Sequence, residues 1–175
     1  MERLIDLDHR LSSQAGALVR ASRYRWLAVA WAHSGDSPIW LIIGAGLWRL
    51  APGAWAGTGA QIIAVTLLAF LLSTALKSIF RRARPVHQAG QFYLDLDQHS
   101  FPSGHATRIG GLIVVLGHRL TGWGLAILLL WGLGVCVSRV ALQLHYASDI
   151  AVGLFFGLAA GALLLQQCAP GQIAR

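Results

Sequence analysis

Apolar residues in this chain fall into long continuous runs rather than narrow stripes. Five runs cover roughly 38–52, 58–80, 104–120, 122–143 and 147–167. About 20 apolar helical residues cross the hydrocarbon of a bilayer, so each run predicts a transmembrane helix. The first is short and ends at Trp48-Arg49, before Pro52-Gly53, which predicts either a tilt or an extension by the helix preceding it. Upstream, Leu4, Ile5, Leu7, Leu11 and Leu18 mingle with Asp6, Asp8, Arg10 and Arg20. That mixture predicts an amphipathic helix over 1–21 lying on the membrane rather than crossing it. Trp26 to His33 is apolar but too short to span, and Ser34-Gly35-Asp36-Ser37-Pro38 reads as a loop with Pro38 opening a helix. The pattern predicts an all-α integral membrane protein, a bundle of five to six transmembrane helices with an N-terminal amphipathic helix. It forms a single domain over 1–175, with 1–34 interfacial and 38–167 as the transmembrane core. The N-terminus lacks a signal peptide's uninterrupted apolar region, so insertion is expected to rely on the spans themselves. Frequent glycines, among them Gly110, Gly111, Gly153, Gly157 and Gly161, predict closely approaching helices.

Alternating crossings have a geometric consequence. The run ending at Phe80, the one starting at Gly104, the one ending near Leu144 and the one starting near Tyr146 all meet one membrane face. The polar clusters of the sequence sit at those four ends.

Composition agrees with the membrane reading. Hydrophobic residues make up 55% and charged residues only 12%, against about a quarter in soluble domains; the mean hydropathy is +0.58. The net charge of +7 would fit nucleic acid, but the arginines form no polar basic domain. The seven Trp suit membrane interfaces better than base stacking. The basic balance therefore predicts anionic headgroups or a phosphorylated substrate, and no nucleic acid. Cys136 and Cys168 have no metal-ligand spacing and read as apolar fillers. Lys77 is the only lysine among 14 basic residues, which hints at a chemical reason for it.

Three clusters carry candidate chemistry. In Ser138 to Asp149, His145 and Asp149 are four residues apart, so on a helix they share a face. A carboxylate there would hold one ring nitrogen protonated and free the other to attack, while Arg139 supplies a fork of donors for a phosphate. The plainer alternative is a structural ion pair between Arg139 and Asp149. In Lys77 to Pro85, Lys77 stands about two turns before Arg84, so both reach a common anion. Charge snorkelling to the interface suffices for Arg81 and Arg82. In Phe101 to His105, Pro102 and Ser103 open a helix whose free amides attract an anion. Gly104 admits a phosphate to the backbone, Ser103 adds a donor, and His105 can give a proton. The plainer alternative is a serine cap with an incidental histidine.

Together these groups are what phosphoryl transfer through a phosphohistidine needs, with cations and amides offsetting the charge on the phosphoryl oxygens. No metal or other cofactor is expected, since lysine and arginines fill that role. Asp95 and Asp97 read as solvated loop carboxylates.

The motifs resemble the type-2 phosphatidic acid phosphatase family, whose site is shared with vanadium haloperoxidases. Its signature is Lys, six residues, Arg-Pro; then Pro-Ser-Gly-His; then Ser-Arg, five residues, His, three residues, Asp. All three parts stand in order here, as Lys77 to Pro85, Pro102 to His105 and Ser138 to Asp149. The resemblance implies Lys77, Arg84, Ser103, Gly104 and Arg139 as phosphate ligands. It also implies His145 as nucleophile, Asp149 as its orienting partner and His105 as general acid and base. It implies a membrane lipid phosphate as substrate, with undecaprenyl diphosphate favoured by the chain's small size and short loops, and phosphatidylglycerol phosphate, phosphatidate and lipid A phosphate as alternatives. Larger members have six crossings, and the resemblance implies that here the amphipathic segment 1–34 replaces the first. The arginines around the site face would place it in the cytoplasm by the positive-inside rule. The resemblance instead implies a bacterial inner-membrane protein with its site near the periplasmic face. A phosphotransferase using the same site, a haloperoxidase and an idle lipid-binding scaffold are the competing readings. The apolar spans argue against the second, and the intact His105, His145 and Asp149 against the third.

Overall fold

The structure is a computed structural model that describes residues 2–20, 22–85 and 98–167. The Asp95–Asp97 pair and Cys168 lie outside the described residues, as do the side chains of Leu4, Ile5, Leu7 and Arg20. Among the described residues there are seven helices: α1 (Glu2–Arg20), α2 (Arg25–Ser34), α3 (Ser37–Leu50), α4 (Ala54–Phe80), α5 (Gly104–Gly117), α6 (Gly122–Ala141) and α7 (Ala147–Gln167). The all-α membrane fold is as the apolar pattern predicts. Three helices, α4, α6 and α7, are long and apolar enough to cross a bilayer, while α3 and α5 are shorter apolar helices. The short first run is indeed preceded by a helix: only Gly35 and Asp36 separate α2 from α3.

Small residues set the packing. On α7, Gly153, Gly157 and Gly161 recur every four residues and so line one face. A Cβ at Gly157 would stand 1.9 Å from the Thr107 carbonyl oxygen, and one at Gly110 would stand 2.6 Å from that of Leu154. The backbones of α5 and α7 thus touch directly, as small-residue seams allow in membranes. A second seam joins α3 to α4, where a Cβ on Gly59 would meet the Trp48 amide at 2.3 Å. Ile62, Val65, Leu112, Val115, Leu116 and Leu128 fill the centre, while Phe70, Leu130 and Phe155 point outward.

The tryptophans divide into two groups. Trp26, Trp48, Trp55 and Trp123 are exposed, as an interfacial role requires. Trp31, Trp40 and Trp131 instead fasten the α2–α3 junction, which corrects the uniform interfacial reading. Trp40 Nε1 donates to the Ser34 carbonyl at 3.1 Å, Trp131 Nε1 to Ser34 Oγ at 2.9 Å and Trp31 Nε1 to the Trp131 carbonyl at 3.0 Å. An indole N–H inside an apolar bundle needs such an acceptor, and the helix break supplies it.

α1 packs on α6 and α7. Its Asp8 accepts from the Ser148 backbone N–H at 3.0 Å, and Ser12 Oγ accepts from the Ala147 N–H at 3.3 Å. These bonds take up amides that the first turn of α7 leaves without intrahelical partners.

Gly157→Ala is expected to force α5 and α7 apart at a cost of about 1–3 kcal/mol. Gly46→Ala is the control, because a Cβ there meets nothing within 4 Å. Thermal unfolding in detergent should show a lower midpoint for the first variant only. Equal midpoints would contradict the seam.

Candidate active site

The α6–α7 connection carries the histidine that the sequence singled out. Gln143 takes φ 59° there, a left-handed conformation that costs of order 1 kcal/mol or more in a non-glycine residue. Its side chain is held by the carbonyls of Ser12 and Val140. The turn sends His145 inward, where it is 1% exposed.

His145 is fixed from an unexpected side. Its Nδ1–H donates to the Ser100 carbonyl at 2.7 Å, while Asp149 Oδ2 stands 3.7 Å from the same nitrogen. The expected share of one helical face brings Asp149 close, but the short bond goes to Ser100. Ser100 is placed by pairing across the ends of the long polar connection: its N–H donates to the Arg82 carbonyl at 2.8 Å, beside an antiparallel bridge between Ala83 and His99. With Nδ1 so engaged, Nε2 carries the free lone pair. Burial, reinforced by Arg139, Arg84 and Lys77, pushes the His145 imidazole well below its ordinary range, against the pull of the Ser100 carbonyl. The ring is therefore neutral at pH 7.

Those three cations come from three places in the chain and act on one imidazole. Lys77 is buried in the last turn of α4, and Arg139 lies in the last turn of α6. Arg84 Nη1 donates to the Leu144 carbonyl at 2.7 Å, holding the residue next to His145. The structure thus gathers Lys77, Arg84 and Arg139 as the motif spacing predicts.

The N-terminus of α5 supplies the amides. Ser103 is its N-cap, and its Oγ accepts from the Ala106 N–H at 3.4 Å. Its own N–H donates to the Asp149 carbonyl at 3.1 Å, tying this terminus to that of α7. Gly104 has a packing reason besides phosphate access: a Cβ would stand 3.0 Å from Ser73 Oγ on α4. His105 follows in the first turn, and its Nε2–H donates to Asp36 Oδ1 at 2.7 Å.

Four residues escaped the sequence reading. Arg82 is not a snorkelling charge. Its Nη1 donates to Asp149 Oδ1 at 2.8 Å and Ser148 Oγ at 2.7 Å, its Nη2 to Asp8 Oδ2 at 2.9 Å, and it lies 4.0 Å over the Tyr146 ring. The ion pair seen for Asp149 is therefore with Arg82, where the plain alternative had named Arg139. Asp8, read only as part of a polar stripe, is a partner in that cluster. Arg108, one turn beyond His105, is buried and donates to the Gly35 carbonyl. Asp36 was read as a loop residue. Burial opposes its charge, but hydrogen bonds from His105 and His33 outweigh it and hold the carboxyl at about 2.

Comparison with known proteins accords with this geometry. Residues 58–170 match the family model described as the PAP2 superfamily. The decaprenylphosphoryl-5-phosphoribose phosphatase of Mycobacterium tuberculosis is 36% identical over 110 residues, covering 62% of this chain and 57% of that protein. The lipid A 1-phosphatase of Rhizobium etli is 33% identical over 108 residues, covering 57% of this chain and 45% of the relative. The chain thus spans about half the length of the curated relatives it matches. The crystal structure of a transmembrane PAP2-type phosphatidylglycerolphosphate phosphatase from Bacillus subtilis superposes with a TM-score of 0.75 at 23% identity, over 100% of this chain and 90% of that one. Aquifex aeolicus LpxE gives 0.69 at 24% identity, over 89% and 95%. At these identities the structural likeness speaks for the fold, whereas the family match covers well over half the sequence and all three motifs. The chain is an integral membrane protein that belongs to the PAP2 superfamily.

Proposed function

We propose that this protein is a membrane lipid-phosphate phosphatase working through a phosphohistidine. The observation that carries the reading is a buried His145 whose Nδ1 is bonded to the Ser100 carbonyl, which leaves Nε2 for attack, set among Lys77, Arg84 and Arg139. Nε2 attacks phosphorus, the bond from phosphorus to the lipid-side oxygen breaks, and His105 protonates that oxygen. Water then attacks the phosphohistidine, the P–N bond breaks, and the water proton passes to His105. The three cations and the N-terminal amides of α5 offset charge on the equatorial oxygens in both steps. Asp149 offsets the positive charge that His145 acquires as it bonds to phosphorus.

The substrate class we infer is a polyprenyl-linked phosphate, with undecaprenyl diphosphate as lead. The 36% identical relative is named for a decaprenyl carrier, which supports a polyprenyl arm, while the relative named for lipid A makes other lipid phosphates the comparison set. Phosphate release by purified protein in detergent and chelator is the test. The panel is undecaprenyl diphosphate, phosphatidylglycerol phosphate, phosphatidate and a lipid A precursor. Release should be fastest with the first, persist in chelator, and fall by about a thousand-fold or more in His145→Ala. Release that survives the substitution would refute the phosphohistidine, and release abolished by chelator would refute metal independence.

We also infer that the site opens to the periplasmic side of a bacterial inner membrane. Arg82, Arg84, Arg108 and Arg139 serve the site, so they do not report on topology as free loop charges do. With Cys136 and Cys168 replaced by alanine, an impermeant maleimide added to spheroplasts should label Arg81→Cys, beside the site, and spare Arg119→Cys at the other end of α5. The reverse pattern would invert the assignment.

A further inference from the structure

The break between α2 and α3 presents an aspartate that forgoes its ordinary local role. Asp36 is the N-cap of α3, with extended φ −69° and ψ 145°, yet its side chain makes no capping bond. An aspartate there usually accepts from its own helix, a contact worth about 1 kcal/mol. Instead both oxygens turn to histidines: Oδ1 accepts from His105 Nε2–H at 2.7 Å and Oδ2 from His33 Nδ1–H at 2.8 Å. The junction is clamped for this. Arg108, on the same face of α5 as His105, takes the Gly35 carbonyl, and Trp40 and Trp131 take Ser34. At Gly35 itself a Cβ would come 3.3 Å from His105 Cδ2 and 2.9 Å from Val135 Cγ1, so the junction approaches the ring as closely as a bare backbone can.

We propose that Asp36 is the positioning carboxylate of His105, turning it so that Nδ1 faces the reacting phosphate and favouring the proton that Nδ1 delivers. The proposal rests on the phosphatase reading above. Burial and two guanidiniums, Arg139 on α6 and Arg108 on α5, disfavour protonation of His105, and Asp36 is the carboxylate that opposes them without fully offsetting them. His33, mostly exposed on α2, shares the carboxylate and tempers its pull. With Nε2–H committed to Asp36, the proton exchanged with substrate sits on Nδ1. It passes to the lipid-side oxygen as that bond to phosphorus breaks, and returns from water as the P–N bond breaks.

The test uses the purified full chain with two probes. Dodecyl phosphate has an alkoxide leaving group that needs a proton, and p-nitrophenyl phosphate has one that does not. Asp36→Asn should lower kcat for dodecyl phosphate by about a hundred-fold, the scale of general acid catalysis, and for p-nitrophenyl phosphate by less than about ten-fold. Loss of the carboxylate lowers the proton affinity of His105, so the alkaline limb of kcat/KM should move about one unit toward acid. Equal losses on both probes with an unmoved limb would overturn the proposal and make Asp36 structural. If the Asn variant does not fold, His33→Gln decides. It leaves the carboxylate to His105 alone, so the limb should move toward alkali, and an unmoved limb overturns the proposal. Turnover of neither probe by wild type, or turnover surviving in His145→Ala, would bring down the phosphatase reading instead.

Discussion

The direct backbone contact between α5 and α7 is the constraint on which the rest depends. The two helices begin at the same membrane face and run side by side, so both positive dipole ends point at one place. Parallel neighbours gain nothing from dipole attraction. What holds them is dispersion across a seam too narrow for a Cβ at Gly110 or Gly157. The same seam sets Ser103 against Asp149 through a backbone hydrogen bond of 3.1 Å. His105 and His145 are thereby mounted on adjacent termini rather than on independent loops. An anion arriving there meets the positive end of α5 and fixed cations together.

Buried charge at that face is compensated group by group. Asp149 is fully buried yet accepts from Arg82 and from the Tyr146 N–H, and Arg82 reaches onward to Asp8 on α1. A carboxylate stripped of water without such partners would protonate instead. The amphipathic helix is therefore more than an interfacial float. It closes the charge balance of the α6–α7 connection and caps the first turn of α7.

How much of this was legible in the sequence follows from what each feature depends on. Apolar runs report directly on burial in lipid, so helix existence and the four converging ends could be read without coordinates. The candidates Lys77, Arg84, His105, Arg139, His145 and Asp149 could be named because the proposed chemistry dictates their kind and the helices their spacing. Asp36, Arg108, Arg82 and Asp8 were not. Each acts through a partner more than 60 positions away, and no period in the chain encodes that. The bond from His145 to Ser100 was hidden for a related reason. A backbone carbonyl carries no residue identity, so a spacing argument finds the carboxylate four residues on and misses the acceptor that the 82–83 and 99–100 pairing delivers.

In the proposed mechanism the two histidines need opposite protonation states when they react, and their partners divide along that line. His145 must keep a bare nitrogen among three cations, and its short hydrogen bond goes to a carbonyl, which fixes the tautomer while adding no full charge. His105 must hold a proton beside two guanidiniums, and its short bond goes to a carboxylate. Exchanging these partners would disable both. A full negative charge hydrogen-bonded to Nδ1–H of His145 would raise the proton affinity of Nε2 and so favour a proton on the attacking lone pair, and a carbonyl on His105 would leave the guanidiniums unopposed. Asp149, at 3.7 Å rather than in a hydrogen bond and already shared with Arg82, sits between these limits. Its restraint on neutral His145 is weak, and in the proposed mechanism its attraction would grow only as phosphorylation made the ring positive. That differential stabilisation of a charged intermediate is what accelerates a step rather than merely binding its reactants.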